Sequence, residues 1–139
     1  MINIIYWSGT GNTEKMAKLI AEGAKSGNKE VDIKFVSEAS LEDIEKCEVL
    51  VLGCPSMGAE ELEESEMEPF VESLRDKVSS KKVALFGSYG WGSGEWMDNW
   101  KSRMEEYNAD VFLEPLTINE CPNGEDETKC IEFGKDICR

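Results

Sequence analysis

The sequence predicts an α/β fold: a doubly wound five-stranded parallel sheet, order 2-1-3-4-5, with helices on both faces. Three observations predict it. Apolar runs of strand length alternate with helix-period segments from end to end of the 139 residues. Some runs are almost continuously apolar and others are not, which separates buried parallel strands from edges. No low-complexity stretch, repeat or linker interrupts the alternation, so residues 1–139 are expected to form one domain.

Each element follows from its own residues. Ile2 to Trp7 is a near-continuous apolar run and reads as a central strand. Met16, Ile20 and Ala24 then fall on one helical stripe. Val31-Asp32-Ile33-Lys34-Phe35 alternates instead, the pattern of an edge strand, and Leu41 to Glu45 reads as a short helix. Val49 to Leu52 is the next buried strand. The stripe Met67, Phe70, Val71, Leu74 and Val78 predicts a helix with Pro69 in its first turn, where the missing N–H costs little. Val83 to Phe86 is the third buried run, followed by a helix marked by Trp96, Met97, Trp100, Met104 and Tyr107. Val111 to Asn119 contains Pro115, which cannot donate to a ladder, so this strand belongs at an edge. Cys130, Ile131, Gly134, Ile137 and Cys138 mark a last helix. With the second and fifth strands at the edges, right-handed crossovers fix the order, and ligands are expected beyond the carboxyl ends of the strands.

Composition narrows the chemistry. Fifteen Lys and Arg against 29 Asp and Glu give a net charge of −14, a surface that repels nucleic-acid phosphates and anionic lipid and attracts basic protein surfaces. No apolar run approaches the roughly 20 residues of a membrane span, and no basic leader precedes the first strand, so a cytoplasmic protein is expected. The five cysteines, Cys47, Cys54, Cys121, Cys130 and Cys138, contain no CxxC pair and read as reduced thiols rather than a disulfide or zinc framework. Cys54 reads as a small buried hydrophobe in preference to a redox thiol. The absence of histidine removes imidazole-assisted nucleophiles and proton shuttles, so any chemistry is borrowed from something bound.

Three loops then fall on the ligand-binding rim. Ser8-Gly9-Thr10-Gly11-Asn12-Thr13 joins the first strand to the first helix and is built of small hydrogen-bonding residues, the composition of an anion cradle at a helix N-terminus. Its other reading is an ordinary turn capped by Asn12 or Thr13. It lacks the GK[ST] ending of a triphosphate loop, and Glu14 stands where a dinucleotide fingerprint needs a third glycine. Gly53-Cys54-Pro55-Ser56-Met57-Gly58-Ala59-Glu60 follows the third strand and Gly87-Ser88-Tyr89-Gly90-Trp91-Gly92-Ser93-Gly94 the fourth. Trp91 between two glycines has no neighbours to hold it in a core and reads as a platform for a flat ring. Trp96 and Trp100, at helical spacing, read as core.

With these residues in view, the sequence resembles the short-chain flavodoxins of anaerobic bacteria along essentially its whole length. The resemblance rests on Tyr6 to Thr13, on Leu52-Gly53-Cys54-Pro55 with Met57-Gly58, and on Phe86 to Gly92. It implies a non-covalently bound FMN and a low-potential one-electron carrier that passes electrons between redox enzymes. Such a protein shuttles between the semiquinone and hydroquinone forms of its flavin and has no substrate turnover of its own. The implied cofactor-binding residues are Ser8, Gly9, Thr10, Gly11, Asn12 and Thr13 for the phosphate, with Pro55, Ser56, Met57, Gly58, Ala59, Glu60, Ser88, Tyr89, Gly90 and Trp91 around the ring. In particular, Met57 and Trp91 would cover the two ring faces, the Gly90 and Trp91 backbone would meet the pyrimidine edge, and Glu60 would accept from the ring N3–H. The Met57-Gly58 peptide would flip on reduction so that its carbonyl can accept from N5–H. Relatives of this type often carry a polar residue where Ala59 stands. No catalytic residue and no metal ligand is expected.

Two consequences follow for the potentials. A side chain at Gly58 would resist a turn with φ > 0 by about 1 kcal/mol or more, eroding the one-electron form. Glu60, Glu61, Glu63, Glu64, Glu66 and Glu68 crowd one side of the ring loop, and their summed charge should oppose the second electron. These glutamates also read as a solvated helix start. The same acidic rim would dock reductases and ferredoxin-dependent oxidoreductases through their basic surfaces, with the carrier acting as a monomer. The alternative on the same fold is a small FMN-dependent NAD(P)H or quinone reductase. A signalling receiver would need acidic residues where Ser8 and Cys54 stand.

Overall fold

A computed structural model describes residues 1–138 and shows three layers, helix, sheet and helix. The strands are β1 (Ile2–Tyr6), β2 (Val31–Phe35), β3 (Val49–Gly53), β4 (Lys82–Tyr89), β5 (Asp110–Val111) and β6 (Leu116–Asn119). The helices are α1 (Asn12–Lys25), α2 (Leu41–Lys46), α3 (Met67–Ser73), α4 (Glu95–Glu106) and α5 (Glu125–Ile137), with one 3-10 turn at Val36–Glu38. All pairings between these strands are parallel and the sheet order is β2-β1-β3-β4-β5, with β6 also against β4. This is the expected doubly wound order.

The apolar patterns act as read. Every residue of β1 and β3 is buried, because each lies mid-sheet under helices on both sides, whereas β2 is half-buried throughout. One core face packs Ile5, Leu50, Leu52, Val83 and Leu85 against Ile44, Met67, Val71, Trp96, Trp100 and Met104 of α2, α3 and α4. The other packs Ile4, Val51, Ala84 and Phe86 against Met16, Ile20, Cys130 and Phe133 of α1 and α5. Helices α1 and α5 approach so closely that a Cβ at Gly23 would overlap the Ile131 carbonyl, and one at Gly134 the Ile20 carbonyl.

Two elements depart from the sequence pattern. The fifth run, expected as one strand from Val111 to Asn119, is two short strands separated by Phe112 to Pro115, since proline interrupts the ladder. The third helix ends at Ser73. Leu74 is its C-cap and Val78 lies in the following turns, yet both are fully buried, so the stripe marked core positions rather than helix length. The register aligns Tyr6 with Gly53 and Gly53 with Phe86, so the loops leaving β1, β3 and β4 emerge on one rim.

Candidate functional site

The rim loops enclose a cleft of about 220 Å³ lined by Ser8, Gly9, Thr10, Asn12, Thr13, Pro55, Ser56, Met57, Ser88, Tyr89 and Gly90, joined by Trp7 and Glu120. Among the described residues, no lysine or arginine lines it. On the β1 side, α1 opens at Asn12 behind Gly11, whose φ of 98° only glycine adopts easily, and no side chain caps the helix. Neither Asn12 nor Thr13 is therefore the cap. The Ser8 hydroxyl accepts from the Gly11 N–H at 3.1 Å and shapes the loop, leaving the first helical N–H groups without a side-chain acceptor. Gly9 lies over the Trp7 indole, where an added Cβ would stand 3.0 Å from the ring. The buried Thr13 and Ser88 hydroxyls share a 2.8 Å hydrogen bond that ties this loop to the end of β4. An uncapped helix end behind neutral donors fits a phosphate group, which the family resemblance implies for this loop.

The ring loop is built differently. Ser56 N–H donates to the Ser88 carbonyl at 3.0 Å, and Met57 and Glu61 exchange backbone hydrogen bonds of 2.9 Å each way, closing a tight turn with Gly58 and Ala59 exposed at its tip. Gly58 has φ 40° and nothing within 4 Å of a built Cβ, so conformation rather than space reserves the position for glycine. Ala59 adds no polar side chain to this turn. Met57 is half-buried in the cleft wall, while Trp91 stands 68% exposed beyond it. Gly11, Gly58, Ala59, Glu60 and Trp91 are thus the expected site residues that do not line the cleft itself. A flat ring extending out of the cleft would meet Met57, Gly90 and Trp91.

The glutamates, read together from the sequence as one acidic cluster, have separate attachments. Glu63 is only 6% exposed. Its carboxylate accepts the N–H groups of Ser65 (2.9 Å), Glu66 (2.7 Å) and Met67 (3.0 Å) and the Ser65 hydroxyl, capping the approach to α3. Burial pushes its pKa up, but the Ser65 hydroxyl and the Met67, Ser65 and Glu66 N–H groups outweigh burial and hold it below the ordinary range. Glu66 accepts from the Trp7 indole N–H at 3.3 Å, linking the ring loop to the phosphate side. Glu68 takes a two-pronged ion pair from Arg103 at 2.7 and 2.6 Å. Glu60, with φ 56°, accepts from Ser93 and Glu95 N–H groups across the rim. Among the described residues only Glu61 and Glu64 of this run are exposed with no side-chain partner. The expectation that Glu63 acts as a free surface charge is therefore corrected: its carboxylate is part of the loop's framework.

Cys54 is fully buried beneath the rim, accepts the Glu63 N–H at 3.4 Å, and burial pushes its thiol up to about 12. It is a small hydrophobe, as read, and all five cysteines are unpaired. Sequence reasoning missed Trp7 and Glu120. Trp7 was read as the end of a strand, although its place beside the first rim loop was a signal. Glu120, at φ 57° with its N–H on the Tyr89 carbonyl at 2.7 Å, directly follows β6, whose carboxyl end belongs to the same rim.

Comparison with known proteins gives one consistent result. Residues 4–134 match the family model described as flavodoxin. The chain is 52% identical over 136 residues to a flavodoxin of Clostridium beijerinckii, covering 98% of both chains. It is 47% identical over 135 residues to a flavodoxin of Megasphaera elsdenii, covering 97% of this chain and 96% of that one. The solution structure of the two-electron reduced Megasphaera elsdenii flavodoxin superposes with a TM-score of 0.90 at 46% identity, covering 99% of this chain and 98% of that one.

Proposed function

The chain belongs to the flavodoxin family and is an FMN-binding electron-transfer protein, and from that premise we propose a low-potential one-electron carrier in which residues 1–139 act as one cytoplasmic, monomeric unit without substrate turnover. The observation that carries the proposal is the cleft itself. It offers a neutral phosphate cradle, a thioether wall and a glycine-rich edge, with no histidine, lysine, arginine or reactive thiol among its lining residues. Such a lining suits holding and tuning a cofactor: apart from the single carboxylate of Glu120, its described residues offer a substrate no strong acid or base.

FMN, when bound, accepts and returns electrons singly. Everything else is the work of this chain. Ser8 to Thr13 would hold the phosphate through hydroxyl and backbone N–H groups, and among the described residues the cleft lining adds no cation to draw in a further electron. Met57 and Trp91 would cover the two faces of the ring, the Gly90 and Trp91 backbone would meet its polar edge, and Glu60 would accept from its N3–H. Ser56 and Ala59 shape the turn, and Ser88 and Tyr89 close the cleft floor. Turning the Met57-Gly58 carbonyl toward the ring would break the 2.9 Å bond it accepts from the Glu61 N–H, and Gly58 keeps the conformational part of that cost small, because φ > 0 is open to glycine. Glu61 and Glu64 present free carboxylates beside this turn to basic patches on partner redox enzymes, which gives fast, short-lived, salt-sensitive encounters.

The test has two arms. Apoprotein titrated with FMN and with riboflavin should bind FMN more tightly, since only FMN reaches the Ser8 to Thr13 cradle. NADH or NADPH added anaerobically to the FMN-loaded protein should leave the visible spectrum unchanged. Equal affinity for the two flavins would remove the cradle from the account, and direct reduction by either nicotinamide would make the protein a reductase on the same fold.

A further inference from the structure

Helix α4 begins without a cap of its own. Its N-cap position is Gly94, with φ 89° and ψ 12°, and no side chain at that residue or beside it bonds the first turn. The Gly94 carbonyl receives the Met97 and Asp98 N–H groups at 3.1 and 3.2 Å, which leaves the Glu95 N–H to be satisfied from elsewhere. It is satisfied from another loop: Glu60 Oε2 accepts it at 3.0 Å, while Oε1 accepts the Ser93 N–H at 2.7 Å. A side-chain carboxylate in this place does what an Asp or Ser at the N-cap usually does, and the helix dipole favours its charge.

Two backbone features make room for this bridge. Gly92, at φ 97°, lies where an added Cβ would overlap the Glu60 carboxylate, so glycine at 92 opens the space the carboxylate fills. Glu60 itself sits at φ 56°, a left-handed conformation that costs a non-glycine residue roughly 1 kcal/mol. It is held there by the Met57 and Glu61 backbone pair that closes its turn. The side chain that leaves the Met57-Gly58 turn is thus anchored to the residues that immediately follow Trp91.

We propose that Glu60 is a positioning residue that locks the two ring walls together: its carboxylate fixes the Trp91-Gly92 loop and the start of α4 to the Met57–Glu61 turn. This rests on the electron-carrier reading only for what the walls surround; the bridge itself stands on the geometry above. A carboxylate has about four lone-pair sites. Two are taken by Ser93 and Glu95, so any bond from Glu60 to the ring uses an oxygen whose direction the α4 terminus already sets. A change in the Met57-Gly58 turn is then passed through Glu60 to the loop that carries Trp91.

The experiment is amide hydrogen exchange at Ser93 and Glu95 in full-length, FMN-loaded protein, paired with the two one-electron midpoint potentials, in the wild type, Glu60→Ala, Glu60→Gln and Glu64→Gln. The expected result is roughly ten- to hundredfold faster exchange at both amides in Glu60→Ala, with both potentials shifted. Glu60→Gln, which keeps one acceptor oxygen, should lie between, and Glu64→Gln should leave exchange at both amides as in the wild type. Should Glu60→Ala fail to fold, Glu60→Gln carries the measurement. Shifted potentials with both amides still protected would overturn the proposal in favour of a ring contact alone. Lost protection with unmoved potentials would overturn it too, leaving only a helix cap. If the wild type fails to hold FMN the carrier reading falls instead, and the exchange arm, read on Ser93 and Glu95 without the cofactor, still decides the bridge.

Discussion

The phosphate loop and the ring loop lie on the same rim, yet they are organised by different physics. Ser8 to Thr13 is a local device: residue type, a Gly11 in a left-handed turn and an uncapped helix end are the parts of the proposed anion cradle, all within a handful of consecutive residues. The ring loop is a tertiary device. Its carboxylates reach Trp7 in β1's outgoing loop, Arg103 in α4 and the Ser93 and Glu95 backbone, contacts separated by tens of residues in the chain. A local device can be read residue by residue from the sequence. A tertiary one shows there only as composition.

The largest expected effect breaks the ring loop and spares the cradle. Glu63→Ala leaves three backbone N–H groups of the α3 approach without their acceptor, and it should cost about 3 kcal/mol in urea unfolding. The pH dependence has a definite sign. The folded carboxyl of Glu63 lies below its ordinary value of 4.5, so its contribution is fully present above that value and is lost as pH falls through the folded one. Wild-type stability should therefore drop more steeply below pH 4.5 than that of Glu63→Gln. Parallel curves would show that Glu63 is a surface charge after all.

The next effect breaks the link between cradle and β4. Thr13→Val deprives the buried Ser88 hydroxyl of its 2.8 Å partner and should cost about 1–2 kcal/mol of stability. It should also weaken FMN binding roughly tenfold while leaving the spacing of the potentials unchanged. A smaller effect sharpens the contrast: Gly58→Thr, strained at φ 40°, should narrow the gap between the two one-electron potentials by about 80 mV, since a turn penalty near 1 kcal/mol on the one-electron form moves each potential by about 40 mV in opposite directions at 59 mV per 1.4 kcal/mol. An unchanged gap in spectroelectrochemical titration would remove Gly58 from the account. The smallest belongs to the two free carboxylates. Glu61→Gln with Glu64→Gln should raise the second potential by about 20 mV at low salt, and by less at 0.5 M, because exposed charges are screened. A salt-independent shift would argue against a through-solvent origin.

How far the molecule could be read from its sequence follows the same division. The strand order was legible because burial on two faces leaves a nearly continuous apolar run, as in Ile2 to Tyr6, broken only by Asn3, and Val49 to Gly53, and half-burial leaves an alternation, as in Val31 to Phe35. The break at Pro115 was half legible: proline placed the strand at an edge, but its division into Asp110–Val111 and Leu116–Asn119 depends on how each piece meets β4. The end of α3 was hidden because Leu74 and Val78 stay buried in turns that happen to keep the helical spacing. At the site, five of the six residues expected in the first rim loop line the cleft, whereas Trp7 and Glu120 were missed because their place there comes from facing the cleft rather than from any motif. Glu63 could not be told from Glu64 by sequence, since one is buried over its own backbone and the other faces solvent.

The most direct test of the central claim, that this cleft tunes a bound flavin for single-electron transfer, is an anaerobic reductive titration of the FMN-loaded protein followed across the visible spectrum. The account predicts two resolved one-electron steps, the second at distinctly lower potential, with a blue-coloured stage building up between them. A single two-electron step with no such stage would contradict it.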